Sequence, residues 1–132
     1  MYKISLIWGC LFGITAVMLG AFGAHALQGM VVEKKIESFR TGVTYQFYHT
    51  IALLALGWIQ YNHPKKIFRY ATLFFIIGTI LFSGSLYVLT FVELNVLGFA
   101  TPIGGVFFIL GWLCLLIGVR KINAFQRMSN NK

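Results

Sequence analysis

Four stretches of this 132-residue chain contain no Asp, Glu, Lys or Arg: Ile4 to Ala24, Val43 to Tyr61, Tyr70 to Val92 and Phe99 to Val119. Each is close to the roughly 20 apolar residues a helix needs to cross a bilayer core of about 30 Å. In hydrocarbon the backbone N–H and C=O groups must find partners inside the protein, and a helix satisfies them within its own segment. Composition agrees. Hydrophobic residues make up 58% of the chain and charged residues 11%, against about 25% charged in a soluble domain. Too little polar surface remains to coat a water-soluble core. The expectation is a single all-α domain over residues 1–132, an integral membrane four-helix bundle of four transmembrane helices.

The eleven Lys and Arg outweigh the three acids, for a formal charge of +8. A basic excess can indicate a nucleic-acid binder, but here the basic residues cluster between apolar runs, which is how membrane topology is written. Nucleic acid is set aside as a partner, and the lipid bilayer takes its place. With the N-terminus in the cytoplasm, that side receives Lys3, Lys65, Lys66, Arg69, Arg120, Lys121, Arg127 and Lys132. The other side receives Lys34, Lys35 and Arg40. The bias predicts both termini on the cytoplasmic side. Trp8, Trp58 and Trp112 fall in the cytoplasmic half of their runs, as interfacial anchors do. Ala24-His25-Ala26 imitates a signal-peptidase site, yet the run before it exceeds the roughly 7–15 residues of a signal core, so a retained helix is expected.

The connections differ in kind. Within 26–42, Val32, Ile36, Phe39 and Val43 recur at helical spacing, which suggests a short amphipathic interfacial helix, an early start to the second span, or a solvated loop. His63-Pro64 stops a helix. Thr101-Pro102 resembles an N-cap followed by proline at the first helical position, which would make the last two spans a tight hairpin.

Membrane helices associate through close approach at small residues and through interhelical hydrogen bonds. Gly9, Gly13, Ala16, Gly20, Gly23 and Ala24 recur at spacings of three and four, a stripe for helix packing on the first span. The stripe could meet a helix of the same chain or of another subunit, so a homo-oligomer or a larger membrane complex is compatible with it. Gly104, Gly105 and Gly111 share a face with Phe108 and Trp112 on the fourth. Cys10 and Cys114 are expected to behave as small apolar residues rather than form a disulfide.

Polar groups inside a span are costly and mark function or structure. Antiparallel bookkeeping gathers His25, Tyr45, Gln46, His49, Ser83, Tyr87 and Thr101 into one layer in the outer half. Three readings compete for it. Interhelical hydrogen bonds could set the helix register. The layer could instead bind a small polar ligand, a lipid headgroup or a proton, with the histidines titrating and Tyr45 and Gln46 orienting the ligand. Least favoured is redox chemistry, in which two imidazoles ligate haem or contact a quinone. No acid lies inside a span, so Ser-His-Asp and paired-carboxylate mechanisms lack members. No cofactor, no metal site and no enzyme activity are expected, and Glu93 reads as an exposed helix-end residue. Structural or assembly partner of a larger complex is the alternative function. A small transporter subunit is the weaker one.

Four segments carry a family likeness. Gly20-Ala-Phe-Gly-Ala-His-Ala-Leu27, Phe39-Arg-Thr-Gly-Val-Thr-Tyr-Gln-Phe-Tyr-His49, Phe82-Ser-Gly-Ser-Leu-Tyr87 and Thr101-Pro-Ile-Gly-Gly105 resemble the bacterial membrane family known as domain of unknown function 423, or UPF0382. The resemblance covers nearly the whole chain. It implies a small multi-helix membrane protein, and it brings no established activity. Its motifs fall on His25, Tyr45, Gln46, Tyr48, His49, Ser83, Ser85 and Tyr87, overlapping the polar layer.

Overall fold

In the computed structural model, which describes residues 1–92 and 95–130, four long helices run antiparallel: α1 (Tyr2–His25), α2 (Glu33–Asn62), α3 (Lys66–Phe91) and α4 (Ala100–Asn130). A 3₁₀ turn at Asn95–Phe99 precedes α4. Among the described residues there is no strand. Among the described residues three segments are long and apolar enough to cross a membrane, Tyr2–His25, Lys66–Phe91 and Leu97–Ile122. The fourth helix, α2, has the length, but Tyr45, Gln46, His49, Thr50 and Gln60 dilute its apolar content. Those residues are affordable because α2 is central. It packs against α1 on one side and α3 on the other, while α4 packs on α3.

The second helix takes one of the three forms expected for 26–42, an early start. No separate interfacial helix precedes it; α2 is continuous from Glu33, because no breaker interrupts 33–62 and Ile36 and Phe39 are buried under Leu27. The link from α1 turns at Gly29, whose φ of +82° only glycine adopts readily. At the other end of α2, His63 and Pro64 stop the helix and α3 restarts at Lys66. Thr101 does not cap α4, which begins one residue earlier, at Ala100. Glu93 and Lys132 lie outside the described residues.

Glycine sets the helix spacing, and each stripe has a partner within the chain. A methyl group on Gly9 would come within 2.8 Å of Leu54, on Gly13 within 3.3 Å of Thr50, on Gly20 within 3.4 Å of Val43 and on Gly23 within 2.8 Å of Phe39. The α1 stripe is therefore covered by α2, with Ala16 buried along it and Ala24 exposed beyond it. Between α3 and α4, Phe68, Phe75 and Phe82 lie against Gly118, Gly111 and Gly104, while Phe108 fits over Gly78. Both the phenylalanines and the glycines repeat every seven residues, the period at which two packed helices keep the same faces together. Gly105 is different, because a side chain there would meet nothing within 4 Å.

Buried Phe12, Leu53, Leu56, Phe68, Phe75 and Phe108 form the main core. The outward faces are apolar too: Ile7, Leu11, Ile14 and Met18 on α1, and Val106, Ile109, Leu113 and Leu116 on α4, are all exposed. Apolar faces of this extent suit lipid tails rather than water.

Candidate functional site

Gln46 is the hub of the polar layer. Its Nε2 donates to the Phe12 carbonyl at 2.8 Å and to Thr15 Oγ1 at 2.7 Å, while its Oε1 accepts from the Tyr87 hydroxyl at 2.8 Å. One buried amide thus ties α2 to α1 and to α3. A turn away, Ser83 Oγ donates to the Gly42 carbonyl at 2.7 Å. That bond is possible because Gly42 has no side chain to hold Tyr87 and Ser83 away. Ser85 and Thr101 join α3 to α4 at 2.7 Å. Since the single Ser85 hydroxyl hydrogen is directed at the Phe82 carbonyl, 2.9 Å away, Thr101 is the donor in that pair.

His49 is held differently. Its ring lies parallel to Phe108, with centroids 3.5 Å apart and planes 5° from coplanar, and Phe75 packs at 5.3 Å. His49 Nδ1 is 2.7 Å from the Tyr45 carbonyl, so it must carry the hydrogen. Trp112 Nε1, which can only donate, reaches His49 Nε2 at 3.3 Å. These partners define a neutral imidazole with the proton on Nδ1. His49 Nε2, the nitrogen a haem iron would need, here accepts the indole N–H.

Beside His49 an open groove of about 460 Å³ runs between α2 and α4, lined by Tyr45, His49, Phe82, Gly105, Phe108 and Trp112, with Pro102, Val106 and Ile109 at its margin. Tyr45 is 40% and Trp112 48% exposed, whereas His49 is 4% exposed. The groove opens on the lipid-facing side with the histidine at its floor. Gly105 contributes the space that a larger side chain would close.

The layer and the expected one differ in membership and depth. His25 is exposed at the end of α1 and stands outside it. Gln46 meets Phe12 and Thr15 near the middle of the 24-residue α1, and Thr50 faces Gly13, so Gln46 and His49 lie at mid-depth rather than in one half. Tyr87 reaches inward to Gln46, while the Ser85–Thr101 pair stays near the end of the bundle where α4 begins. Trp112, expected as an interfacial anchor, sits on His49 instead.

A second polar cluster escaped the sequence reading. Gln60 Nε2 lies 2.6 Å from Thr72 Oγ1, 3.0 Å from Ser5 Oγ and 3.2 Å from the Phe68 carbonyl, and Ser5 and Thr72 are 2.8 Å apart. All three side chains are buried. The available signal was the spacing of Gln46 and Gln60, which are two heptads apart and so lie on nearly the same face of α2. Thr72, Thr79 and Thr90 return their hydroxyls to carbonyls of their own helix at Phe68, Phe75 and Leu86. Among the described residues no cluster of metal-ligating side chains forms, and both cysteines are free.

Comparison with known proteins comes down on one family. Residues 19–105 match the family model described as Protein of unknown function (DUF423). The chain is 42% identical to a UPF0382 membrane protein of Staphylococcus saprophyticus over 91% of its own length and 99% of that protein. It is 43% identical to one of Staphylococcus aureus over 90% and 97%. The UPF0382 inner membrane protein YgdD of Escherichia coli is 38% identical over 91% and 92%. No solved structure matches the chain.

Proposed function

The chain belongs to the DUF423 family of multi-helix inner membrane proteins, and on that premise we propose that it is a membrane-embedded binding protein whose groove between α2 and α4 takes a lipid-like ligand. The ligand is an apolar chain carrying one hydrogen-bonding group, entering sideways from the bilayer. In this reading all four helices cross the membrane, and the end bearing Lys65, Lys66 and Arg69 faces the cytoplasm, as the distribution of basic residues favours.

The supporting observation is His49. Gln46, Ser83, Tyr87 and Thr101 bond across helices, as a structural role requires: Gln46 with Tyr87, Ser83 with Gly42, and Thr101 with Ser85. His49 instead sits at the floor of an open groove with its Nε2 partnered by a long bond from a half-exposed Trp112. A ligand hydroxyl could replace the indole as donor at little cost. The alternative, an assembly partner engaged through the α1 glycine stripe, is less well supported because α2 of the same chain covers that stripe.

Gly105→Leu tests the reading. A Cβ at position 105 meets nothing within 4 Å and Gly105 lines the groove, so the substitution is expected to fill the groove and retain the fold. Native mass spectrometry of protein purified in mild detergent is expected to show one bound lipid fewer on Gly105→Leu than on the wild type, and that same adduct weakened in His49→Ala. Identical adducts on all three proteins would sink the proposal.

A further inference from the structure

We propose that the end of the bundle opposite Glu33 carries a separate site for the headgroup of an anionic phospholipid, built from Lys65, Lys66 and Arg69 around two adjoining cavities. The first, about 230 Å³, is lined by Tyr2, Gln60, Pro64, Lys65 and Arg69 together with Met1. The second, about 280 Å³, is lined by Lys66, Arg69, Tyr70 and Leu73 together with Met1. Arg69 borders both, so its guanidinium can turn to either, and a planar guanidinium suits paired bonding to phosphate oxygens.

These cations have no counter-charge among the described residues. Among the described residues no carboxylate lies at this end; Glu33 and Glu37 occupy the first turns of α2, and that 30-residue helix separates them from Lys65 by roughly 40 Å. The start of α3 adds to the same field. Lys65 is its N-cap without a side-chain acceptor, and its first turn contains no acid, so the positive end of the helix dipole and its free N–H groups remain available to an anion.

The surroundings select a lipid over a free anion. An apolar groove of about 440 Å³, lined by Tyr2, Leu6, Gly57, Trp58 and Tyr61, meets the first cavity at Tyr2 and continues a turn deeper along α1 and α2. Tyr2 packs edge-on to Tyr61 at 5.4 Å, and Trp58 stacks on Tyr61 at 6.2 Å. Such amphipathic rings collect at headgroup level. A diacyl phospholipid with net negative charge uses both parts, with the phosphate at Arg69 and Lys65 and one acyl chain past Tyr2 and Leu6. Inorganic phosphate would use only the upper part, and a zwitterionic headgroup would bring its own cation into a cationic site.

The test is native mass spectrometry of the full chain in mild detergent with added phosphatidylglycerol or phosphatidylcholine of matched acyl chains. The wild type should retain phosphatidylglycerol where phosphatidylcholine is lost. Lys65→Gln with Arg69→Gln should cut that retention about tenfold, and salt near about 1 M should do the same to the wild type. Gly105→Leu should leave it unchanged, which separates this site from the groove at His49. Equal retention of the two lipids, or retention indifferent to the double substitution, overturns the proposal. Displacement of the lipid by inorganic phosphate beyond that caused by chloride at equal ionic strength also overturns it, because the site would then be one for a free anion. Should the double variant fail to fold by circular dichroism, the wild-type comparison of the two lipids and its salt dependence decide the matter.

Discussion

Gln46 and Gln60 occupy nearly the same face of α2, and both join it to α1 and α3, yet their neighbourhoods differ. Gln60 meets Ser5 and Thr72, two hydroxyls that also bond each other, so that cluster is closed on itself. Gln46 spends its carbonyl on the hydroxyl of Tyr87, half-buried at the end of a long side chain, and stands three residues from His49 and an open groove. The same residue type in the same helix therefore supports two kinds of site. Where the neighbours are short hydroxyls the helices close; where they are aromatic rings, Gly105 leaves a space between α2 and α4.

Gln46→Leu is expected to have the largest effect, about 2 kcal/mol, because it removes three interhelical bonds and leaves the Tyr87 hydroxyl without its acceptor. Gln60→Leu should cost about 1 kcal/mol, since Ser5 and Thr72 keep each other as partners. Reversible unfolding in mixed detergent measures both. A larger loss at Gln60 would break the comparison. The double variant sharpens it: some 21 Å of helix separates the two sites, so the losses should add to within about 0.5 kcal/mol. Non-additivity beyond that would mean one continuous network. Smallest is Trp112→Phe, expected below about 0.6 kcal/mol, because the indole bond to His49 is long and half-exposed while the ring packing survives. A loss comparable to that of Gln46→Leu in the same unfolding assay would make Trp112 a structural staple rather than a wall of the groove.

Much of the fold could be read along the chain. The uncharged runs marked the helices, His63-Pro64 marked the break between α2 and α3, and the glycine spacing on α1 marked a packing face. Each of these is a local property. The site was legible only in part. Tyr45, Gln46, His49, Ser83, Tyr87 and Thr101 stood out because polar residues are rare in such runs. His25 was grouped with them by position in sequence alone, and it lies exposed at a helix end. Gln60 and Ser5 went unnoticed because each lies near the end of its run, apart from the other polar residues there, and their pairing needs the register between two antiparallel helices. Phe68, Phe75 and Phe82 read as generic apolar residues until Gly118, Gly111 and Gly104 were set opposite them.

Membrane residence and four helices follow from the sequence itself, because transfer into lipid and helix formation depend on residues close together in the chain. Which stripe meets which helix, the mid-depth position of His49 and the space beside Gly105 were decided by the tertiary structure. They depend on the rotation and offset of helices that meet far apart in sequence. A change of one residue in that offset would carry His49 about 100° around α2, away from Phe108 and Trp112.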